Sequence, residues 1–159
     1  MSTEQNASAF GEAEIITLSK KGIWLSNGEE ITHARTLQAF AQNLFRTGDH
    51  VEIRIGPERK EVHIEDTLYY VQSISGTPRE GFQLQLNDGR KLKLDPTTLC
   101  YEAARLICKV SHPTQSTFED AKFLSAPYYE LLNFTEKSPS GYRLQIENSA
   151  ITLAPADLS

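Results

Sequence analysis

Three things are scarce in this chain of 159 residues: cysteine, positive charge and long apolar runs. The two cysteines, Cys100 and Cys108, form no Cys-x-x-Cys pair, and no histidine sits at metal-finger spacing from them. A disulfide between them is open in principle. Nothing suggests export, so the expectation is two reduced, largely buried thiols. Lys and Arg number 16 against 21 Asp and Glu, for a formal charge of -5. The densest basic pair, Arg59-Lys60, lies between Glu58 and Glu61. A face that neutralises phosphates is missing, so neither a nucleic acid nor an anionic membrane is an expected partner. No apolar run approaches the roughly 18 residues of a membrane span. The first ten residues lack the basic start and apolar stretch of a signal peptide. Residues 1–12 and 155–159 read as tails, and a cytoplasmic location follows by default.

Catalytic signatures are also missing. There is no P-loop, dinucleotide glycine fingerprint, Gly-x-Ser-x-Gly elbow or His-Glu-x-x-His motif. His33, His50, His63 and His112 are dispersed along the chain. The sequence therefore predicts no catalytic residue, no metal ligand and no cofactor. It carries no indication of oligomeric state.

What is present is pattern. Ile15-Ile16 and Leu18, then Ile23-Trp24-Leu25, are short strand-like runs, and Asn27-Gly28 supplies a tight turn. Leu37, Phe40, Ala41, Leu44 and Phe45 recur at three- and four-residue spacing, which predicts a helix capped by Thr32 and closed by Gly48. Val51, Ile53 and Ile55 alternate with polar residues, as do Val62 and Ile64 after the Gly56-Pro57 turn, predicting a hairpin with one wet face. Residues 68–74 and 82–94 predict further strands, the latter folded back at Asn87-Asp88-Gly89. The segment 98–110 reads as two strands joined near Ala103-Ala104, with a short helix as the competing reading. Thr117 to Asp120 resembles a capping box before a second helix carrying Leu124, Tyr128, Leu131 and Leu132, with a break expected near Ser125 because of Pro127. A last hairpin spans 142–153.

Setting Ala34 against Ala121 superposes the two predicted helices and places Arg35 on Lys122. Each helix is preceded and followed by hairpins. The reading is an α+β fold of two related hairpin-helix-hairpin lobes with mostly antiparallel sheets. Their expected limits are residues 13–96 and 97–154, with the strands from 68 to 94 lying between the repeated halves.

Gly22-Ile23-Trp24, Asn27-Gly28 with Ile31, and a helix ending Leu44-Phe45 resemble the opening of the bacterial DUF1285 family. The segments Val62 to Leu68 and Pro127-Tyr128-Tyr129-Glu130-Leu131 resemble two further stretches of it. Thr67-Leu68 stands where the family has Ala-Pro, and Ser149-Ala150 where its ending is glycine-rich. The resemblance runs from about Ile15 to Leu153. It implies an α+β fold with repeated motifs and a role in ligand binding or signalling. The family has no accepted catalytic set, so no catalytic residue is carried over.

Three functional readings follow. In the first, the chain binds a small ligand or a protein partner at the seam between its lobes, without catalysis, and Trp24, Arg35, Asp66 and Tyr129 are the expected binding residues. In the second, His63, Glu65 and Asp66 serve acid-base chemistry in a hydrolase. The plainer role for that trio is a turn cap and a surface ion pair. A third possibility is a structural subunit, which an unpaired strand or an exposed apolar patch would favour.

Overall fold

The computed structural model describes residues 13–153; the two expected tails lie outside the described residues. The chain divides into two compact units, residues 1–68 and 69–159.

In the first unit, β1 (Ile16–Leu18), β2 (Trp24–Ser26) and β3 (Glu29–Glu30) precede α1 (Ala34–Gln42). A meander of β4 (Leu44–Thr47), β5 (His50–Ile55) and β6 (Glu58–Ile64) follows. All six strands form one sheet in the order β3-β2-β1-β6-β5-β4. The β1–β6 pair is parallel and the others are antiparallel. Asn27 and Gly28, with φ of 51° and 86°, make the tight turn that returns β2 into β3. Ile16 lies directly beside Val62, and both are buried. Trp24 meets Phe40 of α1 edge to face, with ring centroids 5.4 Å apart.

The first helix differs from its sequence reading at both ends. Its N-cap is His33, not Thr32: His33 Nδ1 accepts the Thr36 N–H at 3.3 Å. It stops at Gln42 because Asn43 turns out of helical geometry and donates its side-chain amide to the Ala39 carbonyl at 2.7 Å. Leu44 and Phe45 continue the apolar spacing but belong to β4, and Gly48 (φ 63°) turns β4 into β5 rather than capping the helix.

The second unit holds β7 (Tyr69–Thr77), β8 (Gly81–Leu86) and β9 (Lys91–Lys93), then a 3-10 turn (Pro96–Thr98) capped by Asp95. Next come β10 (Cys100–Glu102), β11 (Arg105–Ser111) and β12 (Phe118–Phe123). After α2 (Ser125–Leu132), β13 (Glu136–Ser138), β14 (Gly141–Ile146) and β15 (Ser149–Leu153) form their own three-stranded sheet. The larger sheet has the order β10-β11-β12-β7-β8-β9 and curls like half a barrel. Because β7 pairs in parallel with β12, the strands from 69 to 93 belong with those from 100 to 123. The compact units therefore meet in sequence at Leu68 and Tyr69, not near residue 96.

Phe118 to Phe123 is a strand, not a capped helix start: Glu119, Ala121 and Phe123 alternate into the interior. Helix α2 begins at Ser125 with no side-chain cap, and Pro127 sits in its first turn, where a missing N–H disrupts nothing. Ala103 and Ala104, at φ 51° and 61°, form the turn between two strands, so the helical alternative for that segment fails.

Both units contain three strands, a helix and a three-stranded meander. In one, β1 pairs with β6; in the other, β10 lies against β15. The fold is α+β with two similar lobes, and β7–β9 are the strands inserted between the repeated elements. Matching the helix starts shifts the correspondence one helical turn later than the sequence suggests. Ala34 matches Ser125, and buried Phe40 matches buried Leu131. Lys122 lies in β12, so it is not the counterpart of Arg35.

Candidate functional site

In the first unit, the segment entering β1 and the second half of β6 border a cleft of about 550 Å³. Its buried floor is made by Ile16, Val51 and Val62. Pairing sets Ile16 beside Val62 on one side, and the β5–β6 register, carried one residue beyond its last pair of Glu52 with Glu61, sets Val51 toward Val62 on the other, so the three share one face of the sheet. Charged groups of both signs surround that floor. Arg46, Lys60 and His63 stand with Glu14, Asp49, Glu61 and Asp66. The volume falls within the range of ordinary small-molecule sites.

Neighbouring ion pairs brace this region. His50 contacts Glu61 Oε2 through Nδ1 and Glu52 Oε1 through Nε2, each at 3.3 Å. Glu52 Oε2 accepts from Arg54 Nε at 2.6 Å, and the Arg54 guanidinium lies 4.5 Å from the centre of the Phe45 ring. The Arg54 hydrogen bond holds the Glu52 carboxyl below its usual value, against the opposing effect of burial. Arg46 Nη1 donates to the Gly48 carbonyl at 3.4 Å, within the turn that edges the cleft.

This arrangement can hold a small polar molecule with ion pairs at its rim and apolar contact at its floor. Among the described residues, no group of three or more His, Cys, Asp or Glu is placed to hold a metal ion.

The expected binding residues occupy four different settings. Asp66 is half-buried and lines the cleft. Trp24 is 4% exposed and packs in the core of the first unit. Arg35 lies exposed on α1. Tyr129 belongs to α2 of the second unit, where it is exposed and touches Tyr128 edge to face at 5.5 Å. Of the proposed acid-base trio, His63 and Asp66 line the cleft. Glu65 is engaged elsewhere, its Oε1 accepting the Lys20 N–H at 3.0 Å.

Arg46, Lys60 and Glu61 escaped the sequence reading. Lys60 could have been found, because it shares the alternation of Val62 and Ile64 in β6. Arg46 could not, since its apparent place was the end of a helix. The cysteines also split. Cys108 is buried and Cys100 is exposed. Cys100 pairs across the strands with Ile107, so Cys108 faces the other side of the sheet, and no disulfide links them.

No protein-family model and no curated protein matches the chain. Two solved structures share its fold. A DUF1285 family protein from Silicibacter pomeroyi DSS-3 superposes with a TM-score of 0.59 at 13% identity, over 90% of this chain and 81% of that one. A DUF1285 family protein from Shewanella baltica OS155 also gives a TM-score of 0.59, at 17% identity, over 77% of this chain and 94% of that one. The fold is therefore DUF1285-like, as the sequence resemblance implied.

Proposed function

We propose that the chain is a non-catalytic ligand-binding domain that acts in signalling or regulation in the bacterial cytoplasm. Its ligand is a small molecule carrying both an acidic and a basic group. The observation that supports this most is the first-unit cleft, where an apolar floor is ringed by Arg46 and Lys60 on one hand and Asp49, Glu61 and Asp66 on the other. A ligand of one charge would meet repulsion at such a rim, whereas a zwitterion finds a partner for each end. The exposed, unpaired Cys100 suits a reducing compartment.

The hydrolase reading loses one member of its trio, because the Glu65 carboxylate is held by the Lys20 amide. A protein partner in place of a small molecule would need a larger apolar surface than this cleft offers.

The test is a thermal-shift screen of the full chain against free amino acids and other small zwitterions at millimolar concentration. A bound ligand raises the melting temperature in proportion to its occupancy. Asp66→Asn and Arg46→Gln should remove the shift, read against each variant's own unliganded melting temperature. Stabilisation that survives both substitutions, or hydrolytic turnover abolished by Asp66→Ala, would overturn the proposal.

A further inference from the structure

The loop that joins β11 to β12 in the second unit is built around one buried side chain. His112 is 5% exposed. Its Nδ1 accepts the Thr114 N–H at 3.0 Å and the Gln115 N–H at 2.8 Å, while its own backbone N–H donates to the Thr117 carbonyl at 2.9 Å. An imidazole nitrogen here does the work of the side-chain oxygen in an Asx turn. Because Nδ1 accepts two backbone bonds it carries no proton, and the neutral ring holds its proton on Nε2.

The groups around this ring come from three other elements. Val110 pairs with Glu119 of β12, so Glu119 shares the His112 face and lies diagonal to it. Ala121 pairs with Tyr69 of β7, whose ring meets the imidazole edge to face with centroids 6.4 Å apart. From the β8–β9 turn, Arg90 Nη1 donates to the Ser111 carbonyl at 2.8 Å and its guanidinium lies 5.2 Å from the centre of the Tyr69 ring. Arg90 Nε bonds Asp88 Oδ2 at 2.6 Å, so the two charges offset each other. Burial holds the Tyr69 phenol and the Cys108 thiol, which lies on the same face, above their ordinary values, and both stay neutral. The Glu119 carboxylate favours a positive charge on this face.

A proton arriving at Nδ1 would set an N–H against two N–H groups. Thr114 Oγ1 stands 3.5 Å from the same nitrogen, too far to accept it in place. Glu119 and Tyr69 are buried in paired strands. Thr114 is exposed and Gln115 half-buried, so their amides can turn to water at little cost. The loop is therefore the part that yields. Ser111 and Phe118, at its two ends, line a cleft of about 560 Å³ together with Leu92 and Val110.

We propose that His112 is an acid-operated latch. Neutral, it holds the 112–117 loop closed. Taking a proton from solvent at Nδ1, it expels the Thr114 and Gln115 amides, and the ends of β11 and β12 loosen where they wall that cleft. The closed loop has no place for this proton, so opening is linked to one proton. Its extent rises as pH falls below about 6.5, the ordinary value of an imidazole.

The experiment reads amide hydrogen exchange in the full chain from pH 7.5 to 5.5, each rate divided by the intrinsic rate at that pH. Protection at His112, Thr114 and Gln115 should fall about tenfold across this range, as one-proton linkage requires. The nitrogen shifts of the His112 ring should pass from the Nε2-protonated tautomer to the imidazolium at the same midpoint. Protection in the β14–β15 hairpin should not change. His112→Asn sets Oδ1 where Nδ1 stands, an acceptor that takes no proton here, and its loop protection should be independent of pH. Should that variant fold poorly, the shared midpoint in the parent chain decides alone. Protection unchanged by pH, a fall that persists in His112→Asn, an imidazolium formed while Thr114 and Gln115 stay protected, or an equal fall in the β14–β15 hairpin would each overturn the proposal.

Discussion

Glu65 and Lys20 are joined by a hydrogen bond of 3.0 Å from the Lys20 N–H to Glu65 Oε1. The Glu65 N–H in turn donates to the Leu18 carbonyl at 3.0 Å, so one residue ties the end of β6 both to the end of β1 and to the turn after it. Glu65 is thus a latch between strands distant in sequence. Glu65→Ala should cost about 1 kcal/mol of stability in denaturant unfolding, in line with one lost charge-assisted bond. Ligand-induced thermal shifts in the same variant should be unchanged. A lost shift at full stability would return Glu65 to the site.

The two thiols should separate by reactivity. Burial pushes the Cys108 thiol up to about 12, while Cys100 is exposed. At pH 8 one thiol should react with an aromatic disulfide reagent in the folded chain, and the second only in denaturant. A thiol whose folded pKa is raised above its ordinary value of 9.0 contributes stability that is fully present below that value, and this is lost as pH rises toward about 12.

Glu52 runs the other way. Its lowered carboxyl stabilises the fold above its ordinary value of 4.5, and that contribution is lost as pH falls through the folded value. Glu52→Gln should cost about 0.5–1 kcal/mol at pH 7, where its largely covered side chain bonds Arg54. The gap between variant and parent should close in acid. A difference independent of pH would mean that packing, not charge, makes the contribution.

Two glycines with positive φ should respond differently to alanine. At Gly76 (φ 119°) an added Cβ would overlap the Gly81 carbonyl oxygen, a backbone atom held in the β7–β8 pair. At Gly48 (φ 63°) the space is open. Gly48→Ala should cost about 1 kcal/mol, the strain of left-handed backbone alone. Gly76→Ala should cost about 3 kcal/mol or more, because strain and overlap add. Equal costs in chemical denaturation would contradict this account.

The parts of the fold legible in the sequence are those fixed by near neighbours. Asn27-Gly28 and Gly89 specify turns through their tolerance of positive φ, and period-two alternation in 51–64 and 142–153 specifies hairpins. Boundaries failed where two periods coincide. The apolar spacing from Leu37 to Phe45 satisfies a helix, yet Asn43 ends α1 by binding the Ala39 carbonyl. Thr117 to Asp120 has capping-box chemistry, but pairing with β11 and burial of Glu119 hold it as a strand. The parallel pairs β1–β6 and β7–β12 bring together segments more than 40 residues apart, and no local signal announces them. The cleft depends on the first of these pairs. His63 and Asp66 are therefore legible in the sequence as one local polar cluster with Glu65, while their association with Arg46 and Glu14 is not.

The central claim is that the charged cleft beside β1 and β6 takes a small zwitterion. Its most direct measurement is amide NMR shift mapping of the full chain, titrated with the zwitterion that most raises the melting temperature. The account predicts saturable shifts concentrated at residues 14–16, 46–51 and 60–66, and their loss in Asp66→Asn. Shifts centred elsewhere, or none with any zwitterion tested, would contradict it.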